Sequence, residues 1–305
     1  MKKNSRKVLL LGAGDIGRRI IACITPKFAV TAVTSQPANR SPLKRLGATA
    51  ISADLDRPRS LSKLPSDWKI LIHCAPPPAS GARDNRTRNL LRSVAFRGLE
   101  KTKILTRVMV YLSTSGVYGD CGGALVSEAR PLRPANARAR RRVDAERQLA
   151  RVAKRLGMHL IILRVPGIYA ADRLPLERLK AGTPAMVAAE DSYTNHVHAA
   201  DLAALTVRAM HHARKRRPPL SRSYNANDDS DMKMGDYFDL VAQAFGLPAP
   251  PRLPRAAIAG AVSPMLLSFM RESRRLDNAR QKRELRLAFQ FPTVADGVAA
   301  IRNCA

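Results

Sequence analysis

Short, nearly unbroken apolar runs recur through the first half of the chain, separated by longer stretches whose apolar positions return with a helical period. Strands covered by helices on both faces read this way, because neither face meets water. The runs "VLLL" (Val8 to Leu11), "FAVTAVTS", "ATAISADL", "KILIHCAP", "RVMVYLSTS" and "MHLIILRVP" therefore predict six strands. Alternation with helices predicts an α/β fold, a doubly wound parallel sheet of the Rossmann type, with a ligand across the carboxyl ends of its strands. After Pro166 the pattern loosens. "RSYNAND" (Arg222 to Asp228) reads as one more strand, and "GDYFDLVAQAFGLPAPPRLPR" as a helix ended by a glycine and a proline-rich loop.

The first run leads straight into Gly12-Ala13-Gly14-Asp15-Ile16-Gly17 and then an amphipathic helix. Gly12 permits a tight turn and Gly14 lets a pyrophosphate approach the backbone. Gly17 lets the helix pack on the strand with its N-terminus facing the phosphates. The predicted ligand is a dinucleotide. The second run ends in Thr34, Ser35 and Gln36 with Arg40 soon after, where NAD-selective folds place a carboxylate for the ribose hydroxyls. Thr34, Ser35 and Arg40 can hold a 2′-phosphate, so NADP(H) is expected over NAD(H); Arg40 reads equally as a residue of a polar surface loop. Asp54 and Leu55 are expected at an adenine edge, and Ala75 and Pro76 beside the cofactor.

The motifs "GAGDIG", "SADL", "YLSTSGVYGD", "LRVPGIY", "NHVHAADLAA" and "YNANDD" occur in an order that resembles the extended short-chain dehydrogenase/reductases, the group that includes nucleoside-diphosphate-sugar epimerases and dehydratases. The resemblance spans nearly the whole chain. It implies a catalytic hydroxyl at Thr114, which reads alternatively as a strand-end cap. It also implies a Tyr-x-x-x-Lys proton-transfer pair at the positions held here by Arg138 and Arg142. Guanidinium stays protonated throughout the accessible pH range, so neither arginine replaces the tyrosine. The chain thus resembles atypical members that keep the cofactor motifs and lose that pair. Tyr118 and Tyr169 are expected to line the substrate side, together with Asn195 and His198. His196 and His198 lack a nearby ligand cluster, and no metal is expected.

The arginine-rich stretch "PANARARRRVDAE" (Pro134 to Glu146) opens the helix that carries these positions. Helical spacing puts Arg138, Arg142, Ala145, Leu149, Val152 and Leu156 on one stripe. The two arginines form an anion-binding pair if the stripe meets the sheet, or are exposed if the first turn frays. Arg140, Arg147, Arg151 and Lys154 share the opposite stripe and read as a solvated face, helped by Asp144 and Glu146.

Charge widens the list of partners: 53 Lys+Arg against 24 Asp+Glu give a formal net charge of +29, which attracts anions by its field alone. The basic residues are dispersed and only 5% of residues are aromatic, so dedicated nucleic-acid binding is not expected. Cys23, Cys74, Cys121 and Cys304 lie far apart, which argues against a disulfide framework or a zinc site. The start "MKKNSRKVLLLGAG" imitates a leader but reads as a strand, and "AAIAGAVSPMLLSFM" is too short to span a bilayer. A cytoplasmic protein without membrane association is expected. Residues 1–166 should form the cofactor domain with 195–228 returning to it, and 167–194 and 229–305 a smaller, mainly helical substrate lobe. The function expected is an oxidoreductase or epimerase-type reaction on an anionic small molecule. The alternatives are a non-catalytic dinucleotide-binding sensor and a basic nucleic-acid-associated protein.

Overall fold

The computed structural model describes residues 7–97, 99, 107–217 and 219–304. The basic lead of the leader-like start, residues 1–6, lies outside them. The apolar runs form β1 (Lys7–Leu11), β2 (Ala29–Thr34), β3 (Thr49–Ser52), β4 (Ile70–His73), β5 (Val108–Thr114) and β6 (His159–Val165), and β7 is Ser221–Asn225. Together they make one seven-stranded sheet in the order β7-β6-β5-β4-β1-β2-β3. Parallel registers join β3 to β2, β2 to β1, β1 to β4 and β4 to β5. The main helices of this region are α1 (Asp15–Ile24), α2 (Arg40–Arg45), α3 (Asn85–Arg92) and α4 (Ala137–Leu156).

This order places the site. From β1 the chain winds outward through β2 and β3, then returns to the other side of β1 at β4. Connections leaving β1 and β4 diverge, so a crevice opens at the carboxyl ends of these two strands. Leu9 and Leu11 of β1, Leu71 of β4 and Met109 and Tyr111 of β5 are buried in one cluster with Trp68, Leu90, Ala145 and Leu149. Trp68 fixes its edge by donating from Nε1 to the Ala95 carbonyl at 2.8 Å.

Two compact units divide the chain. The first comprises the described residues of Met1–Val117 with Pro134–Arg164 and Leu202–Tyr224, and contains nearly all of the sheet. The second comprises Tyr118–Arg133, Val165–Asp201 and Asn225–Ala305. The part of 195–228 that lies with the sheet is thus Leu202–Tyr224, most of it in α5 (Ala199–Arg214) and β7. The second unit combines helices with four short two-stranded pairings, among them Gly167–Tyr169 beside His196–His198. Its core gathers Tyr169, Leu179, Tyr237, Phe238 and Val241 with Val294 and Val298, the last five carried by α6 (Met234–Ala244) and α7 (Val294–Asn303). A smaller cluster of Met186, Ile258, Leu266 and Met270 packs two short helices, Arg255–Ala261 and Pro264–Met270, cut from the longest late apolar stretch at Ser263 and Pro264.

Candidate functional site

The glycine loop is held by backbone contact. Gly12 adopts φ +85°, a region open to glycine at little cost, and a Cβ there would lie 2.3 Å from the amide nitrogen of Ala75. A Cβ on Gly17 would lie 2.5 Å from the Gly12 carbonyl oxygen, so α1 can approach the turn only with glycine there. At Gly14 a Cβ would meet nothing within 4 Å. Gly14 is also the N-cap of α1 and supplies no side-chain cap, so the free amides and positive end of α1 are available to an anion.

A cleft of about 300 Å³ surrounds this loop, lined by Leu11–Gly14, Val33–Gln36, Asn39, Ala53–Leu55, Ala75, Pro76 and Arg86. It brings together most of the residues expected from sequence: Gly12, Gly14, Thr34, Ser35, Asp54, Leu55, Ala75 and Pro76. Asp15 and Ile16 open α1 beside it, where Asp15 accepts from Arg19 at 2.9 Å. Thr34 is committed locally, since its Oγ1 accepts from the Gln36 amide at 3.2 Å. Arg40 differs from expectation: it is exposed at the start of α2 and is not among the residues lining the cleft. Arg18, also not a lining residue, is a cation the sequence reading missed: its Nη2 donates to Oδ1 of the lining residue Asn39 at 2.7 Å while its buried Nε has no hydrogen-bond partner. Its position one residue past Gly17 was the available signal. Arg86 was missed as well. Its Nη1 donates to the carbonyls of Pro76 and Pro77, and its Nε and Nη2 grip Asp56 at 2.9 and 2.6 Å. An uncapped helix start, an open glycine and a strand end without a carboxylate fit a dinucleotide.

Beyond β5 the same unit carries the other candidates. Thr114 ends the strand half-buried, accepting from the Gly116 amide at 3.3 Å, and a Cβ on Gly116 would lie 3.8 Å from Ala139 Cβ of α4. Asn136 caps α4 by accepting from the Ala139 amide at 2.9 Å. Arg138 and Arg142 part company here. Arg138 is exposed in the first turn, whereas Arg142 turns to the sheet and donates from Nη1 to the Leu112 carbonyl at 2.8 Å and to the Tyr111 hydroxyl at 3.0 Å. Arg141, which shares the Ala145 and Leu149 spacing equally well, is buried and donates to the carbonyls of Gly81 and Ala79 at 2.7 and 3.0 Å.

Glu146 also departs from expectation. It does not help the solvated stripe: it is buried, accepts from Ser113 at 2.5 Å and pairs with Arg164 at 3.0 Å. Asp144 likewise turns inward, accepting from the Asp84 amide and from Gln148. Under the cleft, His73 Nε2 lies 3.1 Å from Thr87 Oγ1, which donates to Asp84. Burial, helped by the Arg142 charge, pushes the His73 imidazole down to about 3, and burial pushes the Tyr111 phenol up to about 12. Both stay neutral across the ordinary pH range.

In the second unit the substrate-side candidates are turned inward. Tyr118 is buried and donates to Asn225 Oδ1 at 2.7 Å; Tyr169 is buried and donates to the Thr293 carbonyl at 3.1 Å. Asn195 is a clip, donating to the Arg274 carbonyl and accepting from the Leu276 amide. His198 accepts from the Ala200 amide at 3.3 Å, with its ring against Tyr169 and Phe291. Asp201 anchors the segment by accepting from the amides of Gln290 and Phe291. Among the described residues there is no group of three or more His, Cys, Asp or Glu able to hold a metal ion, and no helix long and apolar enough to cross a membrane.

Comparison with known proteins agrees with this geometry. Residues 8–226 match the model of the NAD dependent epimerase/dehydratase family. A functionally unknown conserved protein from Silicibacter pomeroyi is 27% identical, with a TM-score of 0.79 over 98% of this chain and 99% of that one. A candidate NAD-dependent epimerase/dehydratase from Methylobacillus flagellatus is 24% identical, with a TM-score of 0.72 over 98% of each chain. UDP-glucose 4-epimerase from Bifidobacterium longum, solved with NAD+ and UDP, is 16% identical and shares the fold at a TM-score of 0.73 over 97% of each chain. No curated protein matches the sequence.

Proposed function

The chain belongs to the NAD-dependent epimerase/dehydratase family, and on that premise we propose that it is an NADP(H)-binding oxidoreductase or epimerase-type enzyme acting on an anionic small molecule. The observation that carries the cofactor reading is the set of groups at the end of β2. Thr34, Ser35 and Gln36 present no carboxylate to repel a 2′-phosphate, and Arg18, which is not itself a lining residue but is bonded to Asn39 of the cleft, is the cation we assign to it. Gly12, Gly14 and the start of α1 hold the pyrophosphate, and Ala75 and Pro76 border the nicotinamide half. When bound, the nicotinamide supplies hydride chemistry.

The chain's own residues then have limited tasks. Thr114 orients a substrate oxygen by hydrogen bonding, and Arg142, fixed by Leu112 and Tyr111, holds a permanent positive charge against β5. Neither Arg142 nor Arg138 moves a proton at neutral pH. A second reading is favoured by that last fact: the protein binds the dinucleotide as a sensor without turnover.

Fluorescence titration with NADPH and NADH at low and high salt tests the cofactor reading. NADPH selectivity that persists at high salt and drops at least tenfold in Arg18→Ala, but not in Arg40→Ala, is expected; equal affinities for the two cofactors sink it. Turnover over a panel of carbonyl and nucleotide-sugar substrates separates enzyme from sensor. The double variant R138Y/R142K gains activity if the proton pair is the missing part.

A further inference from the structure

Residues 256–270 form the longest run of the chain without a charged side chain, fifteen positions in a protein whose residues are 25% charged. They lie in the two short helices Arg255–Ala261 and Pro264–Met270, joined by Val262 and Ser263. Ile258, Leu266 and Met270 turn inward, buried with Met186. The outer side of such a helix pair is ordinarily polar. Here it exposes Ala256, Ala259, Ala261, Pro264, Met265 and Phe269. Met265 and Phe269, 67% and 38% exposed, are two of the three exposed large apolar side chains among the described residues, and four residues apart they share a face. The two hydroxyls of the run are spent on its own backbone: Ser263 accepts from the Leu266 amide at 3.3 Å and Ser268 donates to the Met265 carbonyl at 2.7 Å. Basic residues bracket the run, Arg252 and Arg255 before it and Arg271, Arg274 and Arg275 after it. The one carboxylate among residues 252–275, Glu272, is buried against Arg274, so an exposed arginine, Arg255 or Arg271, borders the run at each end.

We propose that these two helices seat the protein on an anionic lipid surface, lying in the plane of the interface with Met265 and Phe269 among the acyl chains and Arg255 and Arg271 at the lipid phosphates. Spanning is not involved, since no helix of the described residues is long and apolar enough to cross a membrane. Charge complementarity selects this occupant. An apolar centre with a basic border matches a bilayer, whose hydrocarbon lies beneath a layer of phosphate. Arg255 is held at that border by donating to the Glu190 carbonyl. Size argues against a second copy of the chain: two helices about 10 Å long offer far less than the roughly 800 Å² per partner of a stable protein interface. Lipid insertion has no such threshold, because each apolar side chain gains separately. Stable attachment takes two signals, apolar insertion and charge; the net charge of +29 adds long-range attraction to the local one.

The test is co-sedimentation of the full chain with vesicles of mixed phosphatidylcholine and phosphatidylglycerol, and with phosphatidylcholine alone. Binding is expected on the mixed vesicles only, and at least tenfold weaker in M265S/F269S, with circular dichroism reporting the fold. The single variant M265W separates insertion from adsorption and keeps the core-facing residues intact. Its emission should shift to the blue on the mixed vesicles and be quenched by brominated acyl chains, while Trp68, buried in the other unit, gives a constant background. Undiminished binding of M265S/F269S, or no quenching in M265W, overturns the proposal, since net charge is then sufficient. So does equal binding to both kinds of vesicle, or self-association lost in M265S/F269S with no vesicle binding at all, which would give the face to a second copy of the chain.

Discussion

The glycine cradle and the start of α4 sit in the same unit and differ in what builds them. In the cradle the determining contacts are made by backbone: Gly12 against Ala75, Gly17 against Gly12, and the uncapped end of α1. At α4 they are made by charged side chains: Arg142 on Tyr111 and Leu112, and Glu146 on Arg164 and Ser113. A site made of backbone tolerates little change and is kept whole. A site made of side chains can be rewritten while its helix stays in place, and a buried ion pair can anchor the helix after the residues in front of it have changed.

The largest effect expected on this contrast is Gly12→Ala. Left-handed backbone and overpacking against Ala75 together should destabilise by roughly 5 kcal/mol, read from the chemical denaturation midpoint. Gly14→Ala meets no atom, so it should leave that midpoint nearly unchanged while weakening cofactor binding. Parallel losses of stability in the two variants would erase the distinction between turn and ligand contact.

Acid acts next, on the side-chain half. The His73 pKa falls from 6.5 when unfolded to about 3 when folded, so the unfolded chain binds the extra proton. This contribution to stability is complete above pH 6.5 and is lost as the pH drops toward 3, by about 4 kcal/mol at the lower end. In the second unit Asp228 runs oppositely, because burial raises its carboxyl from 3.8 to about 7. Its contribution is complete below pH 3.8 and lost as the pH rises through 7. His73→Gln should flatten the acid limb of a stability profile, with His196, lowered to about 4, supplying the remainder; Asp228→Asn should steepen it.

Glu146→Gln removes the carboxylate that pairs with buried Arg164 and should cost about 3 kcal/mol in thermal or chemical unfolding. Arg142→Met is expected to be milder, about 1 kcal/mol for the lost hydrogen bonds. Its clearer signature is a rise in the His73 pKa, followed by NMR titration. No rise would mean that burial alone depresses His73.

The same contrast explains what the sequence disclosed. Strands β1, β5 and β6 lie within a residue or two of the runs that predict them, because burial on both faces leaves an uninterrupted apolar signature. The second unit was barely legible, since its strand pairings are two or three residues long and leave no period. At the site, glycine spacing revealed the cradle. Partners of charged side chains stayed hidden because they are distant in sequence, as Glu146 is from Arg164 and Arg86 from Asp56. Arg138 and Arg142 looked equivalent by spacing; they separate because Arg138 sits in the capped first turn while Arg142 lies one turn deeper, opposite Leu112.

The Pro76–Gly81 loop has its own consequence. Arg86 and Arg141 grip it through the carbonyls of Pro76, Pro77, Ala79 and Gly81, groups that every amino acid provides. Ser80 is exposed between these anchor points. A single cysteine at Ser80, with the exposed Cys23 and Cys304 replaced, would therefore give an attachment point for an environment-sensitive dye in the loop that begins at Pro76 of the cleft. The loop's position is encoded elsewhere in the chain, so its own letters are free to carry a reporter.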